Sequence, residues 1–341
     1  MSRPSSRPGS TPSSRRASIS PCKVTAASMK NRFMLYFHPL SFYSQKVVLA
    51  LYEKEIPFKR HYVNLLAGQQ NEPWFLEINP KGKIPALKDG DKVIVESDNI
   101  IDYLESTVQS VVTLVPDESF EVGQEVSRIR KLLNCVKVEI ISYGIIMHEE
   151  LSITGCKLPF YVQKTMKENY GARLGTMLKL AEKNPSFRDT YLSKSQQTAQ
   201  RFEQIMDIEQ VMQELEDLED ILDEMETLIM SSSEGSSDYD QELWLFGSRF
   251  TAADISLIVL LNRLVMLGID SRYFSEDRRP YLLKYHKQQL ERASVGRLLK
   301  EIETIRKTMY WQSILKSSSF SRWATIGLGI GLGYLIYRHI N

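Results

Sequence analysis

Residues 81–106, KGKIPALKDGDKVIVESDNIIDYLES, restrict the fold more than any other stretch of the chain. Two short apolar runs flank Asp89-Gly90-Asp91, a turn whose glycine supplies a backbone angle that other residues avoid, so the pair reads as a β-hairpin. Ser97 follows as an N-cap, and Ile100, Ile101 and Leu104 fall on one face of the helix it opens.

Upstream, RFMLYF is an apolar run of strand length, and Val47, Val48, Leu51 and Tyr52 then repeat at helical spacing. FKRHYVNL alternates as a strand does, and LAGQQNEPWFLEINPKG reads as a polar loop. The order β-α-β, hairpin, α over residues 33–107 is the pattern of a thioredoxin-like α/β domain. From Glu118 the strand signals stop, and helical periodicity predicts an all-α domain over 118–295 with helices at 125–148, 160–183 and 196–230.

In the last of these, Ile208, Val211, Leu215, Leu218, Leu222, Met225 and Ile229 form a heptad seam. Between Phe202 and Met230 there are eleven acidic and no basic residues, which leaves the rest of the chain at net +12 against an overall +1. A self-paired coil would set acid against acid, so the reading is a long helix packed within its own domain. A polar linker, SSSEGSSDYDQ, follows. Thr251 and Asp254 then make a capping box ahead of a helix that is apolar nearly all round and therefore central.

With 43 basic against 42 acidic side chains, the chain lacks the cationic excess of a nucleic-acid binder. Cys22, Cys135 and Cys156 form no C-x-x-C pair and no zinc spacing, which argues for a reducing compartment and against a metal site.

The pairs Ile84-Pro85 and Glu96-Ser97, together with the Asp89-Gly90 turn and the Thr251 box, resemble the glutathione S-transferase superfamily. The resemblance implies that a cis Pro85 lets Ile84 pair strand-like with the cysteinyl part of glutathione. It also implies that Glu96 meets the ligand's α-ammonium while Ser97, at a helix N-terminus, meets its carboxylate. The competing account makes Ser97 a plain N-cap and Glu96 a first-turn carboxylate. In such transferases a residue near the end of the first strand stabilises the glutathione thiolate. LYFHPLSFYSQKVVLAL is similar to the serine-type classes and places Ser41 there, with Ser44 and Tyr43 as nearby alternatives. Either serine also suits the N-cap of the first helix. No cysteine lies between Phe33 and Lys54, which removes thiol–disulfide chemistry. Glutathione is thus the expected ligand or substrate, with no cofactor required.

SFYSQKVVLA, NEPWF, IIDYLE, the charged stretch LAEKNPSFRDTYLSKSQ in an insertion over about 150–235, and the apolar terminus together resemble the ganglioside-induced differentiation-associated protein family. That family implies a tail-anchored protein of the mitochondrial outer membrane, with some presence at peroxisomes, its body facing the cytosol. It promotes mitochondrial fission and influences redox balance, with membrane lipid and fission or cytoskeletal proteins as partners and a homodimer as an option. A working membrane-bound glutathione transferase for apolar electrophiles is the alternative, and a metaxin-like import component a further one.

The ends complete the picture. Residues 1–32 carry no acid and are rich in Ser, Arg and Pro, and the prolines favour a disordered tail over an amphipathic transit peptide. Residues 296–321 form a basic amphipathic segment that suits either a last packing helix or a membrane surface. Fifteen uncharged residues lie between Arg322 and Arg338. As a helix they reach only about 22 Å of a ~30 Å hydrocarbon core, so a single-pass transmembrane helix over 322–339 needs snorkelling arginines. Trp323 and Tyr337 suit the interfaces, and Gly327 with Gly331 makes a G-x-x-x-G pair for helix packing.

Overall fold

The computed structural model describes residues 24–25, 32–234, 243–247 and 249–316. In the N-terminal domain, β2 (Phe33–Phe37), α1 (Phe42–Glu53), β3 (Phe58–Tyr62), α2 (Pro73–Ile78), β4 (Ala86–Asp89), β5 (Lys92–Val95) and α3 (Ser97–Thr107) follow in order. A short strand β1 (Val24–Thr25) pairs in parallel with β6 (Val108–Gln109). The main sheet runs β3-β2-β4-β5, with β2 parallel to β3 and antiparallel to β4.

Alternation along β2 explains its apolar composition. Phe33, Leu35 and Phe37 join α1 and α3 in the main core, whereas Tyr36 points to the other face and packs with Phe75 of α2. Both faces are covered, so the strand reads as continuously apolar. Two local expectations change. The polar loop contains α2, where Pro73 occupies the first helical position, a place where its missing N–H is not needed, and Phe75 and Leu76 are buried. Ser97 is the first helical residue rather than the N-cap, because Glu96, at φ +67°, makes the turn into α3 one residue earlier.

The helical domain comprises α4 (Glu121–Cys135), α5 (Val138–Met147), α6 (Phe160–Lys183), α7 (Arg188–Met206), α8 (Ile208–Glu234), α9 (Ala252–Leu267), α10 (Asp270–Tyr273), α11 (Pro280–Leu290) and α12 (Ala293–Lys316). Two predicted helices are broken. The 125–148 helix divides at Val136, where the Val138 amide donates to the Val136 carbonyl at 2.8 Å. This swings α5 towards α8 so closely that a Cβ on Gly144 would lie 2.6 Å from Val211 Cγ1. The 196–230 helix divides at Asp207, whose carboxylate accepts from the amides of Glu209 (3.0 Å) and Gln210 (3.4 Å) and so starts α8.

The α8 seam lies inside its own domain: Val211, Leu215, Leu218, Leu222, Met225 and Ile229 are at most 1% exposed. Its acidic flanks find cations within the chain. Glu214 pairs with Lys137 and Glu224 with Arg128, while Glu219 and Asp223 share Arg279. The Glu226 carboxylate accepts from the Tyr281 and Leu282 amides, capping α11 from outside. Packing of α8 inside its own domain thus pairs Glu214, Glu219, Asp223 and Glu224 with cations and takes up part of the local charge asymmetry.

The first part of α12 is a packing helix, with Val295, Leu298 and Met309 buried. Arg292, just before it, makes a two-point contact with Glu53 of α1 at 2.7 Å. Among the described residues no helix is long and apolar enough to cross a membrane, and the expected anchor with Trp323, Gly327, Gly331 and Tyr337 lies outside them.

Two predictions follow from the packing. Leu222→Ala should destabilise the protein by about 3 kcal/mol in urea unfolding, while Met212→Ala, on the exposed side of α8, should stay within about 0.5 kcal/mol. Burial also pushes the His38 and His286 imidazoles down to about 4, with Asp270 pulling His286 slightly back. Between pH 6.5 and 4 the unfolded chain therefore binds protons that the folded one refuses, so stability falls as pH drops through that window. His286→Gln should remove about 2 kcal/mol of the loss between pH 7 and pH 5, read from urea midpoints.

Candidate ligand site between the two domains

A cavity of about 710 Å³ opens between the domains, within the size range of small-molecule sites. The β2–α1 turn, the loop over 79–85 and the start of α3 form one wall, and α5, α6, α7 and α9 form the other. Ser41, Tyr43, Ile84, Pro85, Glu96 and Ser97 all line it. Ser44 does not: it lies in the first turn of α1, fully buried, and its hydroxyl has no partner. Thr251 and Asp254 lie in the core of the helical domain, where Asp254 accepts from the Thr251 amide and hydroxyl, both at 2.8 Å.

Ser41 is the N-cap of α1, accepting from the Ser44 amide at 3.3 Å. Capping uses an oxygen lone pair, so the O–H proton remains free to be donated into the cavity. The two accounts of this serine are therefore compatible. Tyr43 is the weaker candidate for an ionised group, since burial and then the Glu139 charge push its phenol up. His38 supports the turn: its Nδ1 accepts from the Leu40 amide at 3.2 Å, which places the ring proton on Nε2.

The opposite lip is a pinned loop. Asn79 donates to the Lys83 carbonyl at 2.6 Å and accepts from the Lys81 amide at 3.1 Å. The Ile84–Pro85 peptide is cis. Glu96, held at a positive φ that costs a non-glycine residue of order 1 kcal/mol, accepts from the Lys81 ammonium at 2.8 Å. In α3 the first helical bond is from the Ile100 amide to the Glu96 carbonyl, so the amides before it lie outside the ladder and are suited to an anion. Behind them, burial raises the Asp98 carboxyl, but Lys46 at 3.3 Å and Arg130 at 3.4 Å outweigh it and hold the group ionised. That network ties the start of α3 to α1 and α4.

Sequence reasoning missed the wall contributed by α7 and α9. Lys194 Nζ donates to the carbonyls of Lys81 (3.0 Å) and Gly82 (2.8 Å), and burial pushes its pKa down to about 8. Gly82, at φ +55°, admits this approach, since a Cβ there would fall against Lys194 Nζ and the Gln70 carbonyl. Tyr191 donates to the Asn71 carbonyl at 2.8 Å, and its ring packs with Leu76, Met177 and Ala181. The α6–α7 hairpin thus roofs the ligand loop. Arg263 of α9 also reaches the cavity and donates to the Leu40 carbonyl at 2.9 Å. Its signal was present in the sequence as a lone arginine in SLIVLLNRLVML. For Lys194, in a polar helix, no comparable signal exists.

The description "Glutathione S-transferase, N-terminal domain" matches residues 35–110, and "Glutathione S-transferase, C-terminal domain" matches residues 198–288. The second match begins inside the expected insertion and includes α8. Ganglioside-induced differentiation-associated protein 1-like 1 of Homo sapiens is 29% identical over 81% of this chain and 76% of its own length. Glutathione S-transferase TCHQD of Arabidopsis thaliana is 28% identical over 71% and 80%. Among solved structures, glutathione transferase F7 of Populus trichocarpa matches with a TM-score of 0.55 at 19% identity, covering 79% of this chain and 98% of that one. The β-etherase LigF of Sphingobium gives 0.55 at 21%, covering 79% and 99%. These two likenesses show the fold, an α/β domain followed by a helical one. The chain belongs to the ganglioside-induced differentiation-associated protein family within the glutathione S-transferase superfamily.

Proposed function

We propose that this chain is a ligand-responsive regulator at the mitochondrial outer membrane. It binds glutathione in its transferase cleft and uses the α6–α7 hairpin to act on mitochondrial network shape and redox balance. The observation that carries the proposal is the grip of Lys194 on the Lys81 and Gly82 carbonyls, directly ahead of Ile84. A ligand that pairs along Ile84 loads the same short loop, so occupancy of the cleft and the position of the hairpin are mechanically linked.

The cavity residues fit glutathione. The free amides before Ile100 and the Ser97 hydroxyl suit a carboxylate, and Glu96 suits an ammonium once Lys81 gives way. That displacement weakens binding relative to an unoccupied carboxylate. The mitochondrial part of the proposal is supported by family membership and by the terminal apolar segment. On this reading the 322–339 anchor faces the body to the cytosol, peroxisomes are a second destination, and the hairpin meets fission or cytoskeletal proteins. A second reading, conjugation of glutathione to apolar electrophiles, is favoured by the free Ser41 O–H at the α1 N-terminus, since a donated hydrogen bond and the helix dipole both lower a thiol pKa.

Isothermal titration tests the ligand. The Glu96→Ala, Ser97→Ala double variant should bind glutathione at least tenfold more weakly, and unchanged binding would refute the assigned site. Turnover with a generic electrophile, lost in Ser41→Ala, would favour the conjugating reading. For the cellular role, removing 317–341 should release the protein to the cytosol. Replacing 160–206 by a short linker, while keeping the α8 core, should abolish mitochondrial fragmentation on overexpression. Fragmentation that persists would show that the hairpin is not the effector.

A further inference from the structure

Lys194 does more than hold a loop, because its amine is set up to react. Of the three N–H groups of its ammonium, the Lys81 and Gly82 carbonyls take two. Lys83 lines the same cavity, and among the described residues neither it nor Lys194 has a carboxylate partner. The acids that share the cavity are engaged elsewhere: Glu96 by Lys81, Glu139 by Arg201, and Asp98 by Lys46 and Arg130. Burial, and then the Lys83 charge, lower the Lys194 pKa to about 8, so of order a tenth of the amine is neutral at pH 7. A neutral amine has two N–H groups, which the two carbonyls use, and one lone pair, which they leave free. A lysine half withdrawn from water beside a second cation is the arrangement that makes an amine nucleophilic towards carbonyl carbon.

The neighbouring side chains define the electrophile. A Cβ on Gly82 would meet both Lys194 Nζ and the Gln70 carbonyl, so the amine and the 69–71 turn stand on either side of that glycine. In that turn Gln70 Oε1 and Asn71 Oδ1 are buried, belong to residues lining the cavity, and have no donor among the described residues. Buried acceptors without donors cost free energy that hydroxyl groups on a ligand would recover.

We propose that Lys194 is the nucleophile of a carbonyl-capture site, forming an imine with a short hydroxyaldehyde whose hydroxyls donate to Gln70 Oε1 and Asn71 Oδ1. The Nζ lone pair attacks the aldehyde carbon, and the C=O π pair moves to oxygen, which takes a proton. The resulting carbinolamine loses water as C=N forms, so amine and aldehyde give imine and water with no oxidant or reductant. A protonated imine keeps a single N–H, so at most one of the Lys81 and Gly82 carbonyls can still be held. Capture therefore loosens the grip of α7 on the loop; that consequence, unlike the capture itself, rests on the preceding reading of the hairpin.

The test exposes the full chain, in phosphatidylcholine nanodiscs, to glyceraldehyde or propanal with sodium cyanoborohydride to trap imines, and maps labelled lysines by peptide mass spectrometry. The exposed Lys164 and Lys307 are internal references. At pH 7 Lys194 should be labelled at least tenfold faster than either, with a rate that levels off above about pH 8 while theirs keeps rising. Its glyceraldehyde-to-propanal ratio should exceed that of the references by about fivefold or more, and Gln70→Met should reduce this excess. Lys194→Arg, which can still donate to the two carbonyls, should leave the reference rates unchanged. Labelling of Lys194 no faster than Lys164 would overturn the proposal, and so would a glyceraldehyde-to-propanal ratio equal to that of the references. Hydrogen exchange in 188–200 should rise after capture. Capture without that rise would leave the reactive site standing and contradict the hairpin reading, and failure of glutathione to bind would leave the labelling result untouched.

Discussion

The Asp254 carboxylate is the point from which the helical domain is organised. It is fully buried and accepts four hydrogen bonds: from the Thr251 amide and hydroxyl, from the Leu245 amide at 3.0 Å, and from the Tyr285 hydroxyl at 3.0 Å. Burial pushes this carboxyl up, and the donors oppose that shift. One side chain thereby fixes the first turn of α9, the segment returning after the acidic helix, and α11. Losing it would leave several buried donors unpaired at once, a larger penalty than one hydrogen bond. Because α9 is a continuous apolar helix, its start also fixes where Arg263 meets Leu40, across the cavity from the loop over 79–85.

The second constraint is the α6–α7 hairpin. Its two helices pack on each other and reach the thioredoxin-like domain through Tyr191 and Lys194, whose bonds end on the Asn71, Lys81 and Gly82 carbonyls. The loop carbonyls are held by the half-buried Lys194 ammonium and the buried Tyr191 phenol. The hairpin is therefore part of the cleft, and any ligand must accommodate it.

Much of this architecture was legible in the sequence because the relevant signals are local. The Asp89-Gly90 turn, the β2 apolar run and the α8 heptads each declare their element through spacing, and α6 occupies the predicted 160–183. Signals that run across a boundary misled: helical periodicity continues through Val136 and Asp207, where a tight turn and a side-chain cap end the helices. In α2, the apolar Phe75 and Leu76 were hidden in a polar stretch, although Pro73 marked the helix start. Of the candidate site, the N-terminal half was readable because Ser41, Ile84, Glu96 and Ser97 sit in short motifs. The α7 and α9 half was not, since Lys194 and Arg263 meet the loop and turn only through tertiary packing, more than a hundred residues away in sequence.

The central claim is that the ligand loop and the hairpin respond as one unit. Hydrogen–deuterium exchange of the full chain, with and without saturating glutathione, measures this directly. The account predicts that protection changes together in residues 79–86 and in 188–200 of α7, and that Lys194→Met confines the change to the loop. Altered exchange in the loop with none in α7 of the native protein would contradict it.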